Sequence, residues 1–150
     1  MSTSDAPDAQ QLGCELCAQP GGVLLFKNAE MRVVAVGGDE GAAYPGFCRV
    51  IWRAHVREMT DLDEAARTRF MRAVFCVEAA LRLSLNPDKI NLASLGNMTP
   101  HLHWHVIPRY ANDATFPKPI WAGGVDPSSA PIPKSSTAWH DAIRTALIGL

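Results

Sequence analysis

Neither sign of charge dominates the sequence: 14 Lys and Arg stand against 15 Asp and Glu, which gives a net charge of −1. Proteins that bind a nucleic-acid backbone or an anionic membrane surface usually carry an excess of basic residues, and this chain has none. It also lacks any apolar run that approaches the length of a membrane span. We therefore expect a soluble globular protein with neither a nucleic-acid polymer nor a membrane as its partner.

Cysteine is scarce, and the start of the chain has no basic, apolar segment of the kind found in signal peptides. Residues 1–11 are polar, acidic and small, which predicts a disordered leader and no export. In the cytoplasm thiols stay reduced, so the four cysteines are expected to be free or metal-bound. Cys48 and Cys76 lie in apolar runs and are predicted to be small core residues.

The sequence has no internal repeat and suits a single domain. Short β-rich runs come first, a long helix follows, and two more strands come after it. This order predicts an α+β fold, in which an antiparallel sheet is covered on one face. The predicted strands are 23–26, 31–36, 47–56, 90–95 and 102–108, with a turn-rich connection over 37–45.

The long helix is predicted from an apolar stripe with helical spacing that runs from Leu62 to Leu81. A capping box over Thr60–Asp63 is expected to start it, and Asn86-Pro87 is expected to end it. Pro, Gly and Ser interrupt the chain after Ala111 until a predicted terminal helix over 137–147.

Histidine is as scarce as cysteine, yet three of the five histidines alternate in one apolar run, at positions 101, 103 and 105. In a strand successive side chains point to opposite faces, so the three imidazoles share one face. Burying several such rings without partners is costly, which disfavours a purely packed role. The spacing suits either a metal site or nucleophilic chemistry and does not decide between them.

The run His101-Leu102-His103-Trp104-His105-Val106-Ile107 resembles the signature of the histidine triad (HIT) superfamily. Residues 44–55 resemble the segment in which HIT proteins carry a Gly, a strand and then a His. Cys14-x-x-Cys17 resembles the paired cysteines of many bacterial HIT proteins and of galactose-1-phosphate uridylyltransferases. The resemblance extends from about Cys14 to Arg109, and it implies a HIT-like fold over 12–110 with one long helix packed on the sheet. Residues 111–150 are expected to form a C-terminal extension packed on that domain.

The resemblance implies a nucleotide hydrolase or transferase that acts at the α-phosphorus of nucleoside phosphoanhydrides, such as dinucleoside polyphosphates, or of nucleoside phosphoramidates. His103 would be the covalent nucleophile, and His105 would assist the phosphate or the leaving-group proton. The alternatives are a nucleotide-binding regulatory protein with little turnover and a zinc-stabilised interaction module. HIT proteins are commonly homodimers, which makes a homodimer the expected assembly.

Several residues are expected to hold the nucleotide. No Lys or Arg lies beside the triad in sequence before Arg109, so Asn97, Thr99 and the backbone N–H groups of the Gly96 loop are the candidates for the phosphate. Met98 departs from the family pattern, because it supplies no hydroxyl. The complete predicted set is Asn91, Asn97, Thr99, Phe26 and Trp121, where the two aromatic residues would line the base pocket.

Cys14 and Cys17 have two interpretations. A CxxC pair is typical of redox proteins, but no thioredoxin-like βαβ pattern follows it here. A structural zinc needs four ligands and favours thiolates and imidazoles. In the metal-bearing relatives the other two ligands are the upstream His and the first His of the triad, which correspond to His55 and His101. The resemblance thus implies a structural zinc at Cys14, Cys17, His55 and His101, while an unmetallated turn remains the alternative.

Overall fold

The computed structural model describes residues 10–123 and 137–150. The predicted leader lies outside the described residues except for Gln10 and Gln11. Five antiparallel strands form one sheet in the order β1-β2-β3-β5-β4. The elements in chain order are α1 (Glu15–Ala18), β1 (Val23–Lys27), β2 (Met31–Ala35), α2 (Gly38–Ala43), β3 (Cys48–Trp52), α3 (Glu64–Leu85), β4 (Lys89–Ala93), β5 (His103–Arg109) and α4 (Ala138–Ala146).

One face of the sheet carries the main hydrophobic core. The stripe of α3 packs there against alternate residues of the strands, and Phe70, Val74 and Leu81 of the stripe are fully buried. The terminal helix α4 joins the same core through Ile143 and Leu147. The predicted α+β fold, with an antiparallel sheet and a long helix on one face, is confirmed.

The start of α3 differs from the prediction. The helix begins at Glu64, and the Asp63 carboxylate caps it by accepting the N–H of Ala66 at 2.8 Å. Thr60 lies in a preceding 3₁₀ turn (Met59–Asp61), where Asp61 accepts the N–H of Glu58 at 2.9 Å. The capping box predicted over Thr60–Asp63 is therefore wrong, because Asp61 and Asp63 each serve a different turn. At the other end Asn86 adopts the left-handed conformation (φ 46°) and ends the helix, as predicted.

Two other segments depart from the predicted elements. The third strand ends at Trp52 rather than at Val56, because the chain there turns away and carries His55 out of the sheet. The connection over 37–45 contains a short helix, α2, where only turns were expected. Among residues 10–123 and 137–150, no helix combines the length and the apolar character needed to cross a membrane.

The other face of the sheet, which we call the histidine face, carries two smaller apolar clusters. One joins Cys14 and Leu16 to Val34 and Ile51. The second joins Ala43, Tyr44, Phe47, Ile107 and Ile120. The first cluster borders His101 through Cys14, and the second borders His105 through Phe47.

Candidate active site and metal site

The three triad histidines lie side by side on the histidine face, as their alternation predicts. His103 and His105 belong to β5, whereas His101 lies just before it, and all three side chains are buried. Trp104 and Val106 point to the opposite face and pack in the main core. The His103 and His105 ring centroids are 4.8 Å apart, with the rings nearly perpendicular. The strand geometry inferred from the sequence is thus present.

His101 turns away from the other two histidines and toward the N-terminal cysteines. Its Nε2 lies 2.6 Å from the carbonyl oxygen of Trp52, so this nitrogen must carry the proton and donate it. Its Nδ1 then presents a lone pair, 3.5 Å from both the Cys14 and Cys17 Sγ atoms. A neutral imidazole with this tautomer is the form that ligates a metal.

His55 completes the group from the other side. Its Nδ1 lies 3.5 Å from the Cys17 Sγ, and the four candidate ligand atoms of Cys14, Cys17, His55 and His101 all lie within 4.8 Å of one another. Tetrahedral zinc, with Zn–S near 2.3 Å and Zn–N near 2.0–2.1 Å, sets a sulfur and a nitrogen about 3.5–3.6 Å apart. The S···N distances and the donor set therefore both fit a structural zinc ion.

Arg32 holds the cysteine turn in place. From β2 its guanidinium donates to the carbonyl oxygens of Leu16, Gln19 and Pro20 at 2.7, 2.9 and 2.8 Å. The Leu16 carbonyl lies within the single turn of α1, between Cys14 and Cys17, and the Gln19 and Pro20 carbonyls follow that turn. Because the turn is tied to the sheet, both thiols face His101. Sequence reasoning did not identify this arginine.

A backbone hydrogen bond fixes the tautomer of His103. The ring Nδ1 lies 2.5 Å from the carbonyl oxygen of His101, and a carbonyl only accepts, so Nδ1 carries the proton. The neutral ring therefore has its lone pair on Nε2. Burial lowers the pKa of His103 and the nearby charge of Arg49 lowers it further, although the bond to His101 opposes the shift. The neutral ring thus presents an unprotonated nitrogen, Nε2, that can act as a nucleophile or as a base.

His105 has a different environment. Its Nδ1 is buried and has no hydrogen-bond partner in the described part of the chain. Burial, followed by the neighbouring His103 and Arg49, lowers the pKa of His105 to about 3. The ring is therefore neutral at physiological pH, and no protein hydrogen bond at Nδ1 fixes which nitrogen carries the proton. Such a ring can release a proton from one nitrogen while it accepts another at the second.

Arg49 brings a positive charge to the triad that sequence reasoning missed. It lies on β3, directly opposite His105 in the strand pairing, and on the same face of the sheet. Its guanidinium donates to the Gly21 carbonyl oxygen at 3.1 Å and lies 3.9 Å from the half-exposed Glu40 carboxylate. An ion pair this long and this exposed is weak. The alternation Phe47, Arg49, Ile51 indicated that these residues share a face, but not that the triad strand lies beside them.

Two aromatic rings flank His105. Trp121 lies with its ring centroid 4.9 Å from that of His105, and its side chain is 46% exposed. Phe47 lies 5.6 Å from the same ring and is buried. The structure thus brings Trp121 to the triad of its own chain.

The remaining predicted nucleotide contacts are not gathered in one place. Asn97, which is exposed, and Thr99, which is half-buried, lie in the loop that leads into β5, and the Thr99 carbonyl accepts the N–H of His101 at 2.8 Å. Asn91 lies on the histidine face, but its Oδ1 accepts a hydrogen bond from Arg109 at 2.8 Å. Phe26 packs against the main core on the helix side, because a bulge between Leu24 and Phe26 shifts the register of β1. The structure therefore does not bring Phe26 to the histidine face.

Comparison with known proteins agrees with this geometry. The model of the HIT domain matches residues 26–112. A histidine triad protein from Bradyrhizobium japonicum is 26% identical in sequence, with a TM-score of 0.68 over 85% of this chain and 91% of that one. A histidine triad protein from Marinobacter aquaeolei is 24% identical, with a TM-score of 0.66 over 92% and 93% of the two chains. No curated protein matches the chain.

A third solved structure, a histidine triad protein from Sinorhizobium meliloti, has the same fold at 21% identity, with a TM-score of 0.67 over 85% of this chain and 91% of that one. The matched domain covers more than half of the chain and includes His55 and all three triad histidines. Cys14 and Cys17 precede the matched range. By this match the chain belongs to the HIT family.

Proposed function

We propose that the protein is a nucleotide hydrolase or transferase that acts at the α-phosphorus of nucleoside phosphoanhydrides, such as dinucleoside polyphosphates, or of nucleoside phosphoramidates. The HIT family includes hydrolases as well as proteins that only bind nucleotides. The observation that carries the choice of an enzyme is the bond from His103 Nδ1 to the His101 carbonyl, which leaves Nε2 free to attack. A homodimer and a cytoplasmic location stay predictions.

The proposed reaction has two displacements at phosphorus. In the first, the Nε2 lone pair of His103 forms a bond to the α-phosphorus, and the bond from phosphorus to the leaving group breaks with its electron pair on the leaving group. In the second, water attacks the nucleotidyl-histidine, the P–N bond breaks, and the nucleoside monophosphate is released with the proton of water passed on. His105 relays protons in both steps, since no residue in the described part of the chain bonds to its Nδ1 and fixes its tautomer.

Arg49 is proposed to stabilise the charge on the phosphate oxygens. Charge neutralisation is a large term in phosphoryl transfer, and Arg49 is the cation that lies opposite His105 on the same face. It is proposed to exchange its long ion pair with Glu40 for the substrate phosphate. Asn97, Thr99 and the Gly96 loop remain proposed contacts to the phosphate, and Trp121 to the base.

Replacement of Arg49 tests this assignment. We expect Arg49→Gln to lower kcat about 10- to 100-fold, because one charged donor to the transition state is lost while the nucleophile stays in place. Steady-state kinetics with a dinucleoside polyphosphate measure the effect. Arg72→Gln is the matched control, since Arg72 is an exposed arginine on α3, which covers the opposite face. Equal activities of the two variants would remove Arg49 from the proposal.

The rival function, a nucleotide-binding regulatory protein, has one feature in its favour. Because the pKa of His105 is lowered to about 3, its protonated form is hardly populated at neutral pH and supplies few protons to a leaving group. Met98 in the adjoining loop is exposed and has no hydroxyl. Leaving groups that need a proton would then depart slowly.

Anhydrides release a stable phosphate anion and need no such proton, so the proposal predicts that anhydrides are cleaved faster than amidates.

A trapping experiment separates the two functions. The protein is incubated with adenosine and guanosine dinucleoside polyphosphates and phosphoramidates labelled at the α-phosphorus, quenched in alkali, and analysed for protein-bound label. We expect label that survives alkali and is lost in acid, as a phosphoramidate to histidine should be, together with release of monophosphate. Nucleotide binding without label or product would identify a binding protein instead.

A further inference from the structure

Arg109 is buried on the histidine face beyond the triad, and its side chain is only 2% exposed. Its Nε and Nη2 donate to the two carboxylate oxygens of Asp113 at 2.8 and 3.0 Å. Nη1 donates to Asn91 Oδ1 at 2.8 Å, and Nη2 also reaches the Lys118 carbonyl oxygen at 2.8 Å and the Thr115 hydroxyl at 3.2 Å. A buried charge is tolerated when hydrogen bonds and a partner satisfy it, as they do here.

The segment that follows β5 is folded around this one guanidinium. Asp113 also accepts the backbone N–H groups of Tyr110, Thr115 and Phe116 at 3.1, 3.1 and 2.8 Å. Burial opposes ionisation of Asp113, but the bonds from Arg109 and from these N–H groups outweigh it and hold the pKa below its ordinary value. The Asp113 carboxylate and the Lys118 carbonyl thus connect residues 110–118 to Arg109 on β5.

Residues 110–118 lead directly to Trp121, which lies beside His105 at the candidate active site. Two residues after Lys118, Ile120 is buried in the cluster with Tyr44 and Phe47. Trp121 comes next, with its ring 4.9 Å from His105 and one side open to solvent. The Lys118 carbonyl that Arg109 binds is therefore only three residues before Trp121 in the chain.

We propose that Arg109, through Asp113, is a positioning residue that holds Trp121 in place as the stacking surface for the nucleotide. The inference rests on the proposed function, in which Trp121 contacts the base. Asn91 belongs to the same cluster, because its Oδ1 is bound to Arg109; its role is to fix the guanidinium rather than to touch substrate. Arg109 does not bind the phosphate, since its side chain is buried and Nε, Nη1 and Nη2 all donate to protein groups.

A double-mutant cycle tests the link between the two residues. Binding of AMP and of GMP is measured by titration calorimetry for the wild type, Arg109→Lys, Trp121→Ala and the double variant. Lysine keeps the charge but lacks the planar fork that bonds to Asp113. We expect Trp121→Ala to weaken binding about 5- to 150-fold, the range for loss of one base stack. Arg109→Lys should weaken binding several-fold in the wild type and not at all in the Trp121→Ala background.

Two outcomes would overturn the inference. If Arg109→Lys weakened nucleotide binding equally in both backgrounds, its effect would not pass through Trp121. If it weakened binding in neither background, Arg109 would not position Trp121. Circular dichroism and thermal unfolding confirm that each variant is folded. Thr115→Val, which removes the 3.2 Å bond from Arg109 together with the 2.9 Å bond between the Thr115 and Tyr44 hydroxyls, takes the place of Arg109→Lys in the same cycle if the lysine variant does not fold.

A second measurement keeps this inference separate from the proposed function. The accessibility of Trp121 to acrylamide is obtained from the difference in fluorescence between each protein and its Trp121→Phe counterpart. We expect Arg109→Lys to raise that accessibility without any nucleotide present, and unchanged accessibility would contradict the inference. If neither AMP nor GMP binds the wild type, the proposed function fails, whereas the quenching result still decides whether Arg109 holds Trp121.

Discussion

His103→Asn is expected to lose turnover by about 10⁴-fold or more while it still binds nucleotide and keeps its fold. The amide nitrogen of Asn can donate to the His101 carbonyl as Nδ1 of the imidazole does, so the local backbone bond is conserved. What disappears is Nε2, the atom that the proposed mechanism joins to phosphorus. Single-turnover kinetics on a labelled dinucleoside polyphosphate, with binding followed by calorimetry, measure both parts of this result.

Two variants serve as comparisons. His105→Asn should lower turnover by only about 10²-fold, because the loss of the proposed proton relay costs less than the loss of the proposed nucleophile. His140→Asn should match the wild type, since His140 lies on α4, whose helix packs in the main core on the other face of the sheet. Near-normal turnover by His103→Asn, or covalent label retained on it, would show that another group attacks phosphorus.

The strand geometry of the triad could be predicted because it depends only on local alternation. Once His101, His103 and His105 lie in an extended run, a period of two places their rings on one side. The long helix was equally readable, since the buried residues of α3 repeat with helical spacing. The first turn of α3 could not be predicted from the sequence. Thr60, Asp61 and Asp63 are all good capping residues, and only the folded chain shows which N–H groups they reach.

Features that depend on strand pairing could not be read from one sequence. Arg49 becomes part of the site because β3 pairs with β5 in a register that sets it opposite His105. Phe26 lies on the opposite face from the triad because a bulge in β1 shifts it by one position. A shift of one residue exchanges the two faces of a strand. Asn91 carries the right chemistry for a substrate contact, but a partner 18 positions later takes its oxygen.

Zinc is the second feature with a large expected effect. Protein purified without chelator is expected to carry about one zinc per chain, and Cys17→Ser is expected to carry little. Zinc at a free concentration about 10³-fold above its Kd stabilises the folded state by about 4 kcal/mol. In a domain of this size that corresponds to about 8–16 °C of Tm. Metal analysis and differential scanning calorimetry, before and after chelation, measure the two effects.

Cys76→Ser is the control for this prediction. Cys76 is a half-buried cysteine on α3, remote from Cys14 and Cys17, so its replacement should leave zinc content unchanged and should not make Tm depend on chelator. The same removal of metal in the wild type should lower Tm more than it lowers turnover at a temperature where the chain stays folded. His103 and His105 are not candidate ligands, and metal-binding energy at the other four residues contributes to folding.

His101 connects the candidate metal site to the candidate active site, so removal of zinc is not expected to leave turnover unchanged. Its ring provides one candidate ligand nitrogen, while its carbonyl oxygen accepts a hydrogen bond from His103 Nδ1, so one residue joins the two sites. We therefore expect a measurable but smaller loss of turnover on chelation, because the carbonyl that orients the nucleophile is then held only by the backbone and by the bond from its ring to Trp52. Wild-type protein free of zinc and indifferent to chelator would refute the metal site, and it would leave the tautomer of His103, and with it the proposed chemistry, unchanged.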